Sequence, residues 1–343
     1  MQPSFAEIPV SPIFSSRLAV NGVTTTDEGR VFAVVQPLLP TDPEVVEIRG
    51  GKAFPFPDEK WNAKDDSVQL SQRFLGVNAL RVGPDGALWI VDRGSKGVGQ
   101  AQIPGAARLI RIDLASNTVM RIFDLAKVVT TESFVDDVRF VGSTAYLTDA
   151  GDPAIIVIDL KSGGGRRVLE RHPSTVASKP LRAEGKPLLD PKGKPVVVHV
   201  DQIEVSPDQN WLYFQPCSGG MSRIELRYLN DDLLSADELA SHVMFFADTP
   251  STGGTTIDTL GNIYLSDTDR SRILKISPTG DTSTLIDDTR LAWVDAMWID
   301  RSGALLMPAA QLNRSAGLNH GIDQIQQPIS IFIARVDAQG TRN

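Results

Sequence analysis

One pattern recurs six times along this chain, and it limits the fold more than any other feature. Asn78 begins a run of alternating apolar and polar residues that reaches Gly86, and a second apolar strand follows to Asp92. Asp295 to Gly303, Gly253 to Gly261 and Asn21 to Gly29 have the same length and lead into similar strands. Asp201 to Trp211 repeats the pattern through Pro207 and Asp208, and Asp136 to Gly142 repeats it with a shortened turn. Each copy reads as a β-hairpin: a strand, a tight Gly- or Asp-rich turn, and a second strand with a bulky apolar centre. The copies start at intervals of roughly 40 to 65 residues, the spacing of one four-stranded blade each. The prediction is an all-β, six-bladed β-propeller over residues 1–343, as a single domain.

The outer strands can be read in the same way. They are predicted at 107–114 and 118–125, 155–160 and 166–170, 222–229 and 243–247, and 272–277 and 282–286. The sixth copy shows one outer strand, 329–336, so the segment before Asn21 is expected to complete that blade. A terminal strand donated in this way closes the ring and covers an open edge. Two connections, 171–198 and 310–328, exceed ordinary loop lengths, and at least one is a candidate cover for the channel. Gly163 to Gly165 reads as a turn between outer strands.

Composition excludes several classes. The formal net charge of −8 carries no basic footprint for nucleic acid and none for an anionic membrane. No apolar run is long enough to span a bilayer. Met1 to Phe14 lacks the basic and apolar regions of a signal peptide, so a soluble, cytoplasmic protein is expected unless the chain has been trimmed. The one cysteine, Cys217, cannot form an internal disulfide and is expected to be inert. There is no nucleophile elbow, zinc-protease helix or P-loop. The expected partner is a small molecule; the oligomeric state is not legible.

The inner-strand starts are Asn21, Asn78, Asp136, Asp201, Gly253 and Asp295. Six-fold geometry points them at one axis. Five of the six carry a carboxylate or carboxamide, the hard oxygen donors that Ca²⁺ or Mg²⁺ takes. The same residue types also cap strand starts through local backbone bonds, a purely structural role. His199, two residues before Asp201, would share its face if the alternation held. Arg93 is a candidate to orient an anionic group, and His320 sits in the last long connection. Trp89, Tyr146, Tyr213, Tyr264 and Trp298 read as packing between blades.

Particular stretches resemble the yellow / major royal jelly protein family. They are Phe54 to Asp58 with Trp61 and Asn62, Asp201 to Ser218 with Met221, Ser251 to Asp267, and Leu291 to Asp300 with Asn313 and Arg314. More distantly, the repeats are similar to gluconolactonases and the senescence marker protein-30 group, which hold a divalent cation in the channel. The second likeness implies metal ligands at Asn78, Asp201 and Asp295, with Asn21 replacing a glutamate and Asp136 adding a carboxylate. It implies hydrolysis of a small lactone or ester; with a cation in the ring, Asp201 or Asp295 is the candidate general base, and Arg93, His199 and His320 are the candidate substrate contacts read from the residues themselves. The family resemblance implies two alternatives: a binding protein for a small aromatic amine, or an isomerase of a quinone-like substrate.

Overall fold

The computed structural model describes residues 8–64, 67–97 and 99–343; the first residues of the terminal stretch read above for a leader lie outside them. Six four-stranded antiparallel sheets form a ring of blades. Their inner strands are Ala19–Thr25, Val77–Val82, Val135–Val141, Val200–Val205, Thr255–Ile257 and Trp298–Ile299. The blades form because each strand alternates between packing faces, and the apolar residues of one blade press on the next. Trp89 of the second blade, for example, lies 4.8 Å from Phe140 of the third. Such fully buried side chains contribute about 1.5–3 kcal/mol each. All five aromatics read as packing residues are buried.

The sixth blade is completed by Ser11–Ser16, which pairs antiparallel with Ile329–Arg335. The ring is therefore closed by the N-terminal segment, as expected. The hairpin turns need a left-handed residue, φ being +72° at Gly86 and +57° at Gln209, which occupies the equivalent place in the fourth blade. One predicted strand is shorter than read: Met221–Glu225 ends in a helical turn, Leu226–Leu229. A second helix, Ala236–Ser241, then starts at Ser235 and Glu238, which cap each other's backbone. The outer strands of the first blade, Val45–Arg49 and Lys52–Pro55, lacked a readable pattern because the first buries three successive residues and the second is short.

Both long connections fold over one end of the channel. The first contains a small hairpin, Arg182–Ala183 with Lys186–Pro187. The second contains the helical turn Leu312–Arg314. Glu184 accepts from Asn313 Nδ2 at 2.8 Å and pairs with Arg314, which ties the two together. No helix among the described residues is long and apolar enough to cross a membrane.

Candidate functional site

Four inner strands begin with the same irregularity. Register shifts fall between Val20 and Gly22, Val77 and Ala79, Val135 and Val138, and Val200 and Gln202. The residues inside these bulges are Asn21, Asn78, Asp136 with Asp137, and Asp201. A bulge re-aims a side chain out of the alternation, and here it turns four of the strand-start residues toward the axis. Asp295 joins them from the segment before the sixth inner strand. The fifth blade contributes Gly253 because no side chain fits: a Cβ there would lie 2.4 Å from the carbonyl oxygen of Val294.

The resulting floor lies under a cavity of about 480 Å³. Asn21, Asn78, Asp136, Asp201 and Asp295 line it from below, with Arg93 and Cys217 beside them. Leu181 and Val198 of the first long connection, and Leu312, Leu318 and Ile325 of the second, supply an apolar roof. Below the floor, a chamber of about 20 Å³ lies among Asn78, Asp136, Asp201 and Asp295, which is room for little more than one water.

The floor is electrostatically tense. Burial raises Asp136 well above the usual carboxylate range, with Asp137 and Asp295 pushing the same way. Burial, then Asp136 and Asp295, do the same to Asp201. Burial raises Asp295 to about 7, opposed by hydrogen bonds from Trp293 Nε1 at 2.9 Å and the Ala296 amide at 2.9 Å. All three carboxyls are thus held above the usual carboxylate range by burial and by one another's proximity, an arrangement typical of proton-transfer or cation sites.

Arg93 lines the cavity and is fully occupied in building it. Its guanidinium donates to Val77 O at 3.1 Å, to Ser95 O at 3.2 Å and to Asn78 Oδ1 at 3.4 Å, and rests 5.1 Å over the Phe134 ring. Cys217 was expected to be inert, and its chemistry fits: burial first, then the neighbouring carboxylates, raise its thiol, which donates to Thr252 O. Its place in the cavity wall beside Asp201 could not be read from sequence. Nor could the role of Trp293, whose bond to Asp295 has a local signal only in their two-residue spacing; the roof agrees with the expectation that at least one long connection covers the channel.

Two predicted members fall elsewhere. His199 lies in an adjoining groove with Thr131, Glu132 and Val197, and its Nδ1 accepts from the Ala177 amide. The bulge at Asp201 is the reason, since it breaks the alternation that would have put both on one face. His320 is exposed at the outside of the roof, where its amide donates to Leu189 O and its ring rests near Gly193. It joins the two long connections and does not reach the cavity.

The strand ends opposite the floor have a different role. Asp92 takes the Leu75 and Gly76 amides and pairs with buried Arg108. Asp149 takes the Phe134 amide and pairs with Arg167. These aspartates are saturated and lie outside the cavity.

A divalent cation needs several oxygens free to turn toward it. Asn78 Oδ1 already accepts from Gln36 and Arg93, while its amide donates to Asp136 at 2.8 Å. Both oxygens of Asp295 hold donors. Asn21 Oδ1 is buried without a partner, but it stands apart from the small chamber. Among the described residues, no three His, Cys, Asp or Glu side chains are grouped to hold a metal. As arranged, the ring does not fit the Ca²⁺ or Mg²⁺ site expected from the resemblance.

Residues 75–342 match the family model described as Major royal jelly protein. No curated protein matches the chain. Among solved structures, a candidate gluconolactonase is similar at 10% identity, with a TM-score of 0.60 over 99% of this chain and 96% of that one. Regucalcin from Agrobacterium tumefaciens, a calcium-binding protein, is similar at 13% identity, with a TM-score of 0.56 over 98% of each chain. Virginiamycin B lyase from Staphylococcus aureus is similar at 14% identity, with a TM-score of 0.54 over 96% of this chain and 100% of that one. At such identities the likeness is one of fold alone, that of a six-bladed β-propeller.

Proposed function

Given that the chain belongs to the major royal jelly protein family, we propose that its roofed channel binds a small, partly apolar cation, a protonated amine. The observation that carries this reading is a floor of three buried carboxylates beneath an apolar roof. The nearest basic side chain, Arg93, spends its donors on backbone carbonyls and Asn78. An ammonium group supplies the missing positive charge and three N–H donors, and the roof takes the carbon skeleton. Binding pulls the raised carboxylates back toward ionisation, so protons are released and affinity increases as pH rises through about 7, the value for Asp295.

Calorimetric titration of aromatic and aliphatic amines at two pH values tests this. Tighter binding at the higher pH is expected, with an enthalpy that depends on the buffer's own ionisation. Asp201→Asn should weaken binding about ten-fold or more. If no amine binds at millimolar concentration, the reading fails.

A second reading, hydrolysis of a small lactone or ester, is favoured by the balance of Asp295 near neutrality. Asp295 would take a proton from water as its oxygen attacks the carbonyl. Asp136 and Asp201, whose carboxyls are raised by burial, stand beside Asp295, and whichever holds a proton would donate a hydrogen bond to the carbonyl oxygen as charge develops there. The proton then passes from Asp295 to the departing alkoxide. Turnover of simple lactones with a pH inflection near 7 that disappears in Asp295→Asn would support this reading; no turnover of any lactone or ester would remove it.

A further inference from the structure

Below the carboxylate floor, the same inner strands carry a second set of charges, which meets the floor at Asp137. Arg81 lies on the inner strand of the second blade, 5% exposed. Its guanidinium sits 5.2 Å over the ring of Trp298, an inner-strand residue of the sixth blade. It also feels Arg139 and Asp137 of the third blade, Glu204 of the fourth and Arg342 near the C-terminus. A side chain on one blade that has such neighbours on three others must project into the axis of the ring.

Arg81 finds no polar partner there. Its Nε is buried without a hydrogen bond, and among the described residues no carboxylate pairs with it. The nearby carboxylates are committed elsewhere. Arg139 takes Glu204 Oε2 at 2.9 Å and Oε1 at 2.7 Å, and Thr255 Oγ1 donates to Oε1 as well. Asp137 Oδ2 accepts from Arg139 at 2.7 Å and its Oδ1 from the Val138 amide at 2.7 Å. A guanidinium has five N–H donors in a rigid plane, and a buried charge left unpaired is strongly unfavourable. The face of Trp298 offsets only part of that cost.

The C-terminal residues restrict what can reach it. The Gly340 amide donates to Asp300 O and that of Thr341 to Ile257 O, while Asn343 Nδ2 donates to Val205 O and Ser206 O. Arg342 reaches Asp27 beside the first blade and lies 4.6 Å over the Trp298 ring. This strap crosses the ends of the sixth, fifth and fourth blades. Arg81 and Arg342 thus share the Trp298 ring, and Arg139 and Arg342 both act electrostatically on Arg81, so three guanidinium groups gather in the lower channel.

We propose that the lower channel holds a small monovalent anion, chloride in ordinary buffers, on the guanidinium of Arg81. Chloride accepts several N–H donors from any direction, loses its hydration shell more readily than a multivalent anion, and passes where organic anions do not.

Crystals of the full chain grown in bromide provide the direct test. An anomalous peak within hydrogen-bond distance of the Arg81 guanidinium is expected, absent from the same map of Arg81→Met. In parallel, the melting temperature of the native chain should rise by about 2–4 °C when methanesulfonate is replaced by chloride at constant ionic strength. Arg81→Met should show no such rise. A bromide map without a peak at Arg81 overturns the proposal, as does an equal chloride response in both proteins. If Arg81→Met does not fold, the native bromide map decides alone.

Discussion

The upper and lower halves of the channel are built from the same inner strands, yet their charges follow opposite rules. In the lower half, Arg139 is 1% exposed at its side chain and holds Glu204 with two hydrogen bonds, with Asp137 on a third nitrogen. In the upper half, Asp136, Asp201 and Asp295 face one another with no ion pair among the described residues; Arg93 opposes the shift only at Asp136, and each is raised in pKa. Burial is common to both halves, so burial alone does not mark a functional site. What separates them is pairing: a saturated ion pair stabilises the ring, whereas an unsaturated cluster stores unfavourable energy that a ligand can relieve. Arg81 is the exception in the lower half: its Nε is buried without a hydrogen bond.

The sharpest way to break this contrast is to remove one charge from each half. Arg139→Met leaves Glu204 and Asp137 buried without their partner and should cost about 3–5 kcal/mol in urea denaturation. Asp201→Asn removes a charge from a repelling cluster and should leave stability unchanged or raise it, while ligand binding falls. Equal losses from both substitutions would show that the two halves do not differ as described.

A smaller effect comes from pH. The three upper carboxylates have folded pKa values above their unfolded ones, so the stability they contribute is full below about 4, the range of an unfolded aspartate. It is lost as pH rises through the folded values, which for Asp295 is about 7. Melting temperature should therefore decline from about pH 5 to 8, and Asp201→Asn should flatten that decline. A decline of equal slope in the variant would place its cause elsewhere in the molecule.

The smallest expected effect concerns the roof. Glu184→Ala removes the contacts to Asn313 and Arg314 that join the two long connections. The pair is partly exposed, so the loss is on the order of 1 kcal/mol, enough for about a five-fold faster release of a bound ligand in stopped-flow measurements. The melting temperature should hardly change, because the blades do not depend on this contact. A large drop in melting temperature would make the roof part of the ring's stability.

Much of the fold was legible because propeller blades are built from local pairings. Each hairpin announces itself through its turn and its alternation, and the unpaired outer strand of the sixth copy called for Ser11–Ser16. The first blade's outer strands were not legible because Val45–Arg49 buries three successive residues and shows no alternation, and Lys52–Pro55 is short. The floor residues were found as strand starts, since Asn21, Asn78, Asp136, Asp201 and Asp295 recur in register with the turns. The placement of His199 beside Asp201 went wrong because a bulge is invisible to strict alternation. Arg93 was read as a group to orient an anionic substrate, but its donors belong to backbone carbonyls that sequence cannot bring near it.

By itself, then, the sequence determined the number of blades, the strand that closes the ring and the residues that begin each inner strand, because each depends on residues near one another along the chain. Only the tertiary structure decided which aspartates are paired and which repel, that Asn78 is held by Gln36, Arg93 and Asp136, and that two distant connections roof the cavity. Those outcomes depend on distances between blades, and charge pairing changes over a few ångströms that no one-dimensional pattern records.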